Sequence, residues 1–505
     1  MGAHNLALLA EQSLARHGDR DALWFEERWY SSGDLADRYR RLAAGFVELG
    51  IQPGDRVVVM MSNTPEVGIC YTALWRAGAA VTPAIFLLSG EELRHVVSHS
   101  GARAIVTSPE FLPNVKAAVE GVDSLKWIVS SGSEEDGVIP LASLEDAAPG
   151  EIVERADDDL AALMYTGGTT GRAKGVMLSH YGLWYCGKSA EEAAHVEGIT
   201  RTLVPLPLSH SYGLIVTVVG MHSREPGHAF LMRWFDPAEW LRLVQEHKVQ
   251  ISVLVPSMIQ MLLAFPLEDF DLSSLRYVVS GASPLPLDVM REFERRVPGV
   301  SIREGYGLTE SSAVISTMPP ESIRPGSVGK PLPGYEVKIV DDDGNEVSTG
   351  EIGEITAKSR SIMLGYWKSD EATASTVRDG WLFTGDMGRV DEDGYLWVVD
   401  RKKDLIIRGG FNVYPRDVED ALTEHPAVSL AGVVGKPDET YGEEVVAFVQ
   451  LQPGAEATPD DLVEFGKQRV GKYKYPREVH IIPGIPLTPV GKIDRKALRA
   501  QLQSG

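Results

Sequence analysis

Short runs of β-branched residues alternate with stretches of helical period along most of the chain, and this alternation limits the fold more than any other feature. Arg56–Met60, Arg103–Thr107 and Gln250–Val255 have the length and composition of strands, whereas Pro237–Glu246 and Leu287–Arg296 repeat apolar residues at helical spacing. Strands joined by crossover helices pair in parallel. The pattern therefore predicts an α/β fold in which mixed or parallel sheets are covered by helices.

The pattern changes near Asp341–Gly350, where turn dipeptides separate short apolar strands. Asp343-Gly344, Asp379-Gly380 and Asp393-Gly394 are typical of tight hairpin turns, so this region predicts an antiparallel, barrel-like subdomain. After the charged segment Asp400–Asp404 the alternation of strands and helices resumes for roughly 100 residues. We expect this last part to form a small α/β domain of its own.

The charge balance argues against a nucleic-acid partner. The 505 residues include 49 lysines and arginines and 71 aspartates and glutamates, a net charge of -22, and no single stretch concentrates the basic residues. The two cysteines, Cys70 and Cys186, lack the spacing of a disulfide framework or a zinc site. Neither a signal peptide nor a long apolar run is present, so we expect no transmembrane segment and a cytoplasmic location.

The segment Met164–Gly175 carries the strongest chemical signal. Its four glycines expose backbone N–H groups, its threonines add hydroxyl donors, and Lys174 supplies a positive charge, a combination that can wrap a polyphosphate. The segment is not a Walker loop, because Gly175 follows Lys174 where a serine or threonine would bind magnesium. A flexible surface turn is the alternative interpretation.

This loop resembles the phosphate-binding signature of the adenylate-forming superfamily, which contains acyl-CoA synthetases, luciferases and the adenylation domains of peptide synthetases. Further segments resemble the core motifs of that superfamily in the expected order, and they are Pro207–Gly213, Gly281–Leu285, Tyr306–Glu310, Trp381–Asp386, Asp400–Gly410 and Pro489–Arg495. The resemblance spans essentially the whole chain. Within the superfamily, Gly409–Pro415 is most similar to acyl-CoA synthetases of the fatty and aryl acid type.

The resemblance implies catalytic roles for four residues. Lys492 and Lys174 would stabilise charge on the reacting phosphate, Glu310 would bind Mg²⁺, and His210 would lie between the acid and thiol channels. Without the resemblance, a Thr-Glu pair is more often a helix cap, His210 would be a loop histidine satisfied by backbone, and the basic tail around Lys492 would be a solvated helix face.

The resemblance also assigns the nucleotide site, with Thr309 on a phosphate, Tyr306 stacked on adenine, and Asp386 and Arg401 on the ribose. The complete nucleotide set is Thr166, Gly167, Gly168, Thr169, Thr170, Gly171, Gly281, Ala282, Ser283, Glu304, Gly305, Tyr306, Gly307, Thr309, Asp386 and Arg401. Two positions depart from the usual loop, since Gly167 replaces a common serine and Ala173 a common proline. Both changes are expected to weaken the site without destroying it.

The remaining assignments concern the acid, the thiol and the domains. The acyl pocket is assigned to Tyr212, Gly213, Ser280, Gly281 and Gly305, and the CoA channel to Gly409 and Gly410. Lys403 is expected to be the hinge within residues 401–403, between an N-terminal adenylation domain at 1–400 and a mobile C-terminal domain at 404–505.

The expected activity is that of an ATP-dependent acid:CoA ligase that uses ATP, Mg²⁺ and coenzyme A. A ligase that loads a carrier protein and a non-catalytic nucleotide- or acyl-binding homologue are the alternatives. Gly305 stands where malonyl-CoA synthetases have an arginine, so a short dicarboxylate is disfavoured, and a fatty, aryl or bulky apolar acid is favoured. A homodimer is one candidate oligomeric state.

Overall fold

The computed structural model describes residues 2–166, 173–488 and 492–504. Contacts divide the chain into two compact units, the first made of Met1–Glu336 with Ala357–Leu382 and the second of Val337–Thr356 with Phe383–Gly505. The boundary assigned from the sequence at residue 400 falls within the second unit. The hinge at residues 401–403 and the mobility of the domain that follows it remain predictions.

The larger sheet of the first unit has nine strands among the described residues. In spatial order they are β16 (Lys330–Pro331), β15 (Ser316–Thr317), β14 (Ser301–Tyr306), β13 (Tyr277–Ser280), β12 (Ile251–Leu254), β10 (Arg201–Val204), β11 (His228–Leu231), β1 (Asp21–Phe25) and β2 (Arg28–Ser31). The six strands from β14 to β1 pair in parallel, while β15, β16 and β2 are antiparallel to their neighbours.

The second sheet of this unit has eight strands within the same described ranges. Their order is β19 (Gly365–Tyr366), β9 (Lys174–Ser179), β8 (Leu160–Thr166), β4 (Ala80–Pro83), β3 (Arg56–Met60), β5 (Ala104–Thr107), β6 (Trp127–Ser130) and β7 (Ile139–Pro140). Only the pairs β8–β9 and β9–β19 are antiparallel here.

Helices surround these sheets, as the sequence pattern predicts. They are α1 (Leu6–His17), α2 (Ser32–Leu49), α3 (Pro65–Arg76), α4 (Gly90–Ser100), α5 (Leu112–Val119), α6 (Leu141–Leu144), α7 (His180–Ala194), α8 (Ser211–His222), α9 (Pro237–His247), α10 (Pro256–Leu263), α11 (Leu287–Arg296) and α12 (Asp370–Thr376). Local chemistry fixes their ends. For example, Ser89 and Glu92 form a reciprocal capping box at the start of α4.

The turn-rich region forms the predicted antiparallel sheet. Its strands are β17 (Glu336–Val340), β18 (Gly353–Lys358), β21 (Trp381–Val390) and β20 (Val377–Arg378), in that order, with β22 (Leu396–Arg401) paired to β21. The dipeptides Asp379-Gly380 and Asp393-Gly394 lie in the tight connections on either side of β21, and both glycines have positive φ angles.

The end of the chain forms the predicted small α/β fold. Its strands are β24 (Phe411–Val413), β23 (Ile406–Arg408), β26 (Gly442–Leu451), β25 (Val428–Asp438) and β27 (Glu478–Ile481), the last paired in parallel with β26. Its helices are α13 (Pro415–Thr423), α14 (Pro459–Arg469) and α15 (Arg495–Ser504). The core of this fold includes Val418, Val433 and Leu462. The predicted α/β class is therefore confirmed.

Both cysteines are buried in the first unit and neither is in a disulfide. Cys70 lies in α3 and Cys186 in α7. Burial raises the pKa of both thiols, that of Cys186 to about 11. Among the helices that the structure describes, none combines the length and apolarity that crossing a bilayer requires.

Candidate active site

The parallel strands of the nine-stranded sheet bring many of the predicted residues to one edge. Ser280 ends β13, Gly281 and Ala282 follow it, and Gly305 and Tyr306 end β14 beside them. In open α/β sheets, ligands bind outside the carboxyl ends of parallel strands. Ala282 has a φ of +70°, a left-handed conformation that non-glycine residues rarely adopt and that often marks a functional turn.

Three residues assigned to the acyl pocket converge at this edge. The Tyr212 hydroxyl donates a hydrogen bond to the Val279 carbonyl at 3.1 Å. A Cβ placed on Gly281 would lie 3.3 Å from the Tyr212 ring and 3.6 Å from the Gly305 carbonyl oxygen, so Gly281 leaves little room for a side chain. Gly213 has a packing role, because a Cβ there would approach the Pro207 carbonyl oxygen to 2.2 Å.

His210 is the N-cap residue of α8. Its Nδ1 accepts a hydrogen bond from the backbone N–H of Tyr212 at 3.2 Å. The next residue, Ser211, accepts a 3.2 Å hydrogen bond from the Thr309 hydroxyl. The start of α8 is thus joined to the Thr309-Glu310 segment, which forms a short 3₁₀ helix. His210 therefore has the backbone contact expected of a loop histidine, and the residue that follows it contacts the predicted phosphate ligand Thr309.

Glu310 forms a cluster with Lys174 and with Tyr366, a residue that lies outside the predicted motifs. Its Oε1 accepts a hydrogen bond from the Tyr366 hydroxyl at 2.8 Å, and the Lys174 Nζ lies 5.0 Å from the centroid of the Tyr366 ring. Burial, and then the Glu310 charge, raise the pKa of Tyr366 well above its usual range, which keeps the phenol protonated as a donor. Tyr366 therefore connects the predicted metal ligand with the predicted phosphate-binding lysine.

A single predicted carboxylate ligand, Glu310, fits Mg²⁺. No cluster of three or more His, Cys, Asp or Glu side chains suited to a metal occurs among the described residues. Mg²⁺ commonly takes one or two protein carboxylates and keeps water and phosphate oxygens as its other ligands. Glu310 is oriented by Tyr366 and is the carboxylate that would hold it.

The predicted phosphate loop begins and ends on paired strands. Thr166 ends β8, Lys174 begins β9, and the two residues are register partners. The predicted ligands Gly167, Gly168, Thr169, Thr170 and Gly171 lie outside the described residues. At the carboxyl end of the loop, His95 Nε2 lies 2.9 Å from the Ala173 carbonyl oxygen. Since a carbonyl can only accept, Nε2 is the protonated ring nitrogen and donates this hydrogen bond.

We predict that His95 holds this end of the loop, at the position where the family resemblance leads us to expect a proline in place of Ala173. His95→Ala removes the hydrogen bond to Ala173 and should raise KM for ATP by about five- to tenfold, equivalent to about 1 kcal/mol, with a smaller effect on kcat. Steady-state kinetics at varied ATP would measure this. Adding Ala173→Pro to the variant should recover much of the affinity by stiffening the loop.

His228→Ala is a matched control for the His95 prediction. His228 Nδ1 contacts the Asp21 carbonyl at 2.8 Å, so this variant also removes a histidine contact with a backbone carbonyl, but far from the loop in sequence and on another sheet. KM for ATP should stay at the wild-type value. An unchanged KM in the His95→Ala variant would contradict the prediction.

The predicted ribose ligands lie side by side in the second unit. Asp386 of β21 is the register partner of Arg401 at the end of β22, and an Asp386 carboxylate oxygen lies 3.2 Å from Arg401 Nε. Asp386 is buried whereas Arg401 is exposed. Gly409 and Gly410 form the turn between β23 and β24 with φ angles of +57° and +82°, which favour glycine.

The backbone of Lys492 is hydrogen-bonded to Thr488. Its carbonyl accepts a 2.7 Å hydrogen bond from the Thr488 N–H, and its own N–H donates to the Thr488 hydroxyl at 3.1 Å. The neighbouring Ile493 forms an antiparallel bridge with Leu487. Residues 489–491 of this predicted motif lie outside the described residues.

The helix after Lys492 is anchored by buried charges. Arg495 donates to both oxygens of the Glu419 carboxylate, at 2.8 and 2.7 Å, and Arg499 donates to Asp404 at 2.9 Å. Asp404 directly follows Lys403 in a short 3₁₀ helix. The basic tail is therefore not only a solvated helix face, because two of its arginines form ion pairs within the second unit. The pair of Arg499 with Asp404 joins the helix after Lys492 to the segment of the predicted hinge.

Comparisons with known proteins agree with this geometry. The profile of the family described as AMP-binding enzyme matches residues 10–367, and that of the AMP-binding enzyme C-terminal domain matches residues 417–492. The chain is 34% identical to a long-chain-fatty-acid–CoA ligase of Bacillus subtilis, covering 98% of this chain and 94% of the relative. It is 35% identical to 4-coumarate–CoA ligase 5 of Oryza sativa, covering 94% and 90%.

A solved structure supports the same relationship. The crystal structure of an anthranilate CoA ligase in complex with anthranoyl-AMP superposes with a TM-score of 0.92 at 27% identity, covering 99% of this chain and 98% of that one. The family profile covers well over half of the chain, and the named relatives align over nearly all of it. The protein therefore belongs to the AMP-binding, adenylate-forming enzyme family.

Proposed function

We propose that this protein is an ATP-dependent acid:CoA ligase. It converts a carboxylate and ATP into an acyl-adenylate and pyrophosphate, and then converts the acyl-adenylate and CoA into an acyl-CoA and AMP. The observation that carries the proposal is the grouping of Lys174, Tyr366 and Glu310 in a chain whose similar relatives are named CoA ligases.

The first half-reaction activates the acid. A carboxylate is a poor acyl donor because its leaving group would be an oxide, and bonding one carboxylate oxygen to the α-phosphorus of ATP replaces that oxide with AMP. The bond from the α-phosphorus to the bridging oxygen of pyrophosphate breaks in the same step. The acid is already ionised near neutral pH, so no general base is required. Lys174 and Lys492 would stabilise the charge that develops on the phosphate oxygens.

The second half-reaction transfers the acyl group to sulfur. The CoA thiolate attacks the acyl carbon, and the bond to the AMP oxygen breaks. In our proposal, the domain after Lys403 turns between the two half-reactions, so that Lys492 serves the first and the Gly409-Gly410 turn serves the second. Both residues have positive φ angles, which favour glycine, and because glycine has no side chain this turn would stay open where pantetheine passes.

Mg²⁺ completes the proposed site through Glu310. When bound, the ion neutralises part of the polyphosphate charge. Tyr366 holds the Glu310 carboxylate in place by its 2.8 Å hydrogen bond. Asp386 and Arg401 would bind the ribose, and Tyr306 would stack on the adenine.

The acid is proposed to be a fatty or aryl acid. The similar relatives are named for long-chain fatty acids, 4-coumarate and, in Amycolatopsis, feruloyl-CoA synthesis. Gly281 and Gly305 would carry no side chain into the proposed acyl pocket, where Tyr212 already lies close to Gly281. A homodimer and a cytoplasmic location remain hypotheses, which light scattering and cell fractionation would test.

Pyrophosphate release with ATP and magnesium tests the proposal. Fatty, aryl and dicarboxylic acids would each be assayed with and without CoA, and acyl-CoA would be identified by mass spectrometry. Release that depends on one acid class, together with acyl-CoA formation, is expected. Acyl transfer to a loaded carrier protein but not to CoA would favour a carrier-loading ligase, and no release with any acid would favour a non-catalytic homologue.

A further inference from the structure

Arg303 in β14 is a buried cation that has no carboxylate partner in the part of the chain that the structure describes. Its exposed fraction is 3%, and its Nε and Nη2 atoms are buried without a hydrogen-bond acceptor among the described residues. The guanidinium carbon lies 3.3 Å from the centroid of the Tyr277 ring, so the cation stacks on an aromatic face. Stacking offsets part of the desolvation of the charge but leaves these two nitrogen atoms without an acceptor among the described residues.

Two other arginines with low exposure have carboxylate partners. Arg76 donates to Glu11 and to the Gly150 carbonyl, and Arg495 is paired with Glu419. The interaction with Tyr277 and then the charge of Glu321 offset part of the burial cost of Arg303, but Glu321 is exposed and forms no ion pair with it in the described parts of the chain. Burial lowers the pKa of the Arg303 guanidinium, which reflects the same lack of compensation.

The register of the sheet places Arg303 on the same face as Gly281 and Gly305, two of the residues assigned to the acyl pocket. Val278 and Ile302 lie in the core that includes residues of α9, α10 and α11. Side chains alternate along a strand, so Val279 and its register partner Arg303 are on the opposite face, with Gly305. Tyr212 contacts the strand at the Val279 carbonyl and lies next to Gly281.

Arg303 also lies deeper than the residues nearest the nucleotide site. It precedes Gly305 by two residues, which is about 7 Å along a strand. Its partner Tyr277 is in register with Ser301, a further two residues toward the amino end of β14. If the reacting carboxylate of the acid lies at the carboxyl ends of the strands, the guanidinium would therefore be near the far end of the acid and not near its first carbons.

We propose that Arg303 is a specificity-determining residue that binds an oxygen acceptor at the far end of the acid substrate. The proposal rests on the proposed function, and it narrows the acid to one with a distal carboxylate, carbonyl or phenol oxygen. A short dicarboxylate would not span the distance of about 7 Å that separates Gly305 from Arg303 along the strand.

Matched pairs of acids test this inference. Octanoate is compared with octanedioate, and cinnamate with 4-coumarate, so that each pair differs only in the distal oxygen. Binding is measured by calorimetry in the presence of a non-hydrolysable ATP analogue, and turnover is measured separately by acyl-CoA formation. We expect the wild type to bind the oxygen-bearing member of at least one pair about tenfold or more tightly. The two pairs distinguish an anionic from a neutral acceptor.

Substitution of Arg303 should reverse the preference. Arg303→Met should weaken binding of the oxygen-bearing acid by about 10- to 100-fold and strengthen binding of its apolar partner, whereas Arg303→Lys should retain part of the preference. Arg295→Met, an exposed arginine of α11, is the control and should leave the ratio unchanged. If Arg303→Met does not fold, the wild-type ratios and Arg303→Lys still decide the question.

The binding and turnover results separate the two proposals. Equal wild-type affinity within both pairs, or a ratio that Arg303→Met does not change, would overturn the role of Arg303. Tight binding of the oxygen-bearing acids without acyl-CoA formation would support that role and contradict the ligase proposal.

Discussion

Replacing Lys492 with alanine is expected to slow acyl-adenylate formation by about 100- to 1,000-fold, because the ammonium stabilises charge that develops in the transition state. The formation of acyl-CoA from purified acyl-adenylate and CoA should change far less, since that half-reaction does not use the lysine in our proposal. Single-turnover assays of each half-reaction would measure both effects. The backbone contacts of Lys492 with Thr488 do not involve the side chain, so the turn itself should persist.

Lys496→Ala is the matched control for this substitution. Lys496 is an exposed lysine in the first turn of α15, four residues after Lys492, and its loss should leave both half-reactions near the wild-type rate. An equal loss in the two half-reactions of Lys492→Ala would mean that the variant is damaged generally. Unimpaired adenylation would exclude Lys492 from the catalytic site.

Replacing Arg495 with methionine is expected to destabilise the second unit by about 3–5 kcal/mol, because Glu419 is left as a buried carboxylate without its partner. Burial already raises the pKa of Glu419 to about 7 in the intact protein. The double variant Arg495→Met/Glu419→Gln should be more stable than the single variant, since it removes the orphaned charge. Hydrogen exchange of the amides in β25 and β26, measured as a function of urea concentration, would give the change in the free energy of unfolding.

The pH dependence of the Arg495→Met effect has a definite sign. Without Arg495 the folded-state pKa of Glu419 should rise further, while in the unfolded chain it stays near the ordinary glutamate value. The folded state then retains a proton that the unfolded state has released, so unfolding free energy falls as pH rises through this interval. The difference from wild type should be small at pH 5 and largest at pH 8. A difference that is constant with pH, or greatest at pH 5, would contradict the assignment.

The sequence predicted the elements whose signal is local. Arg56–Met60 and Leu287–Arg296 have the predicted bounds, and the Asp-Gly dipeptides lie at hairpin turns. These features depend on side-chain period and on turn conformation, both of which are encoded within a few residues. The site residues were likewise predicted from family motifs that are each contiguous in the sequence.

The contacts between distant segments could not be predicted in this way. Tyr366 reaches Glu310 across 56 positions, and His95 reaches Ala173 across 78. Neither tyrosine nor histidine has a local pattern that distinguishes such a contact from ordinary packing. Arg495 and Lys496 are adjacent cations, and only the tertiary fold makes the first half-buried and ion-paired while the second stays exposed.

The two buried thiols make this protein ready for site-specific labelling. Cys70 and Cys186 are inaccessible and poorly ionised at neutral pH, so a maleimide should leave them unmodified in the folded state. Exposed positions such as Ser375 in the first unit and Gln468 in the second could therefore receive a pair of fluorophores without removal of the native cysteines. Energy transfer between the dyes would then report directly whether the two units change their separation as ATP, acid and CoA are added in turn.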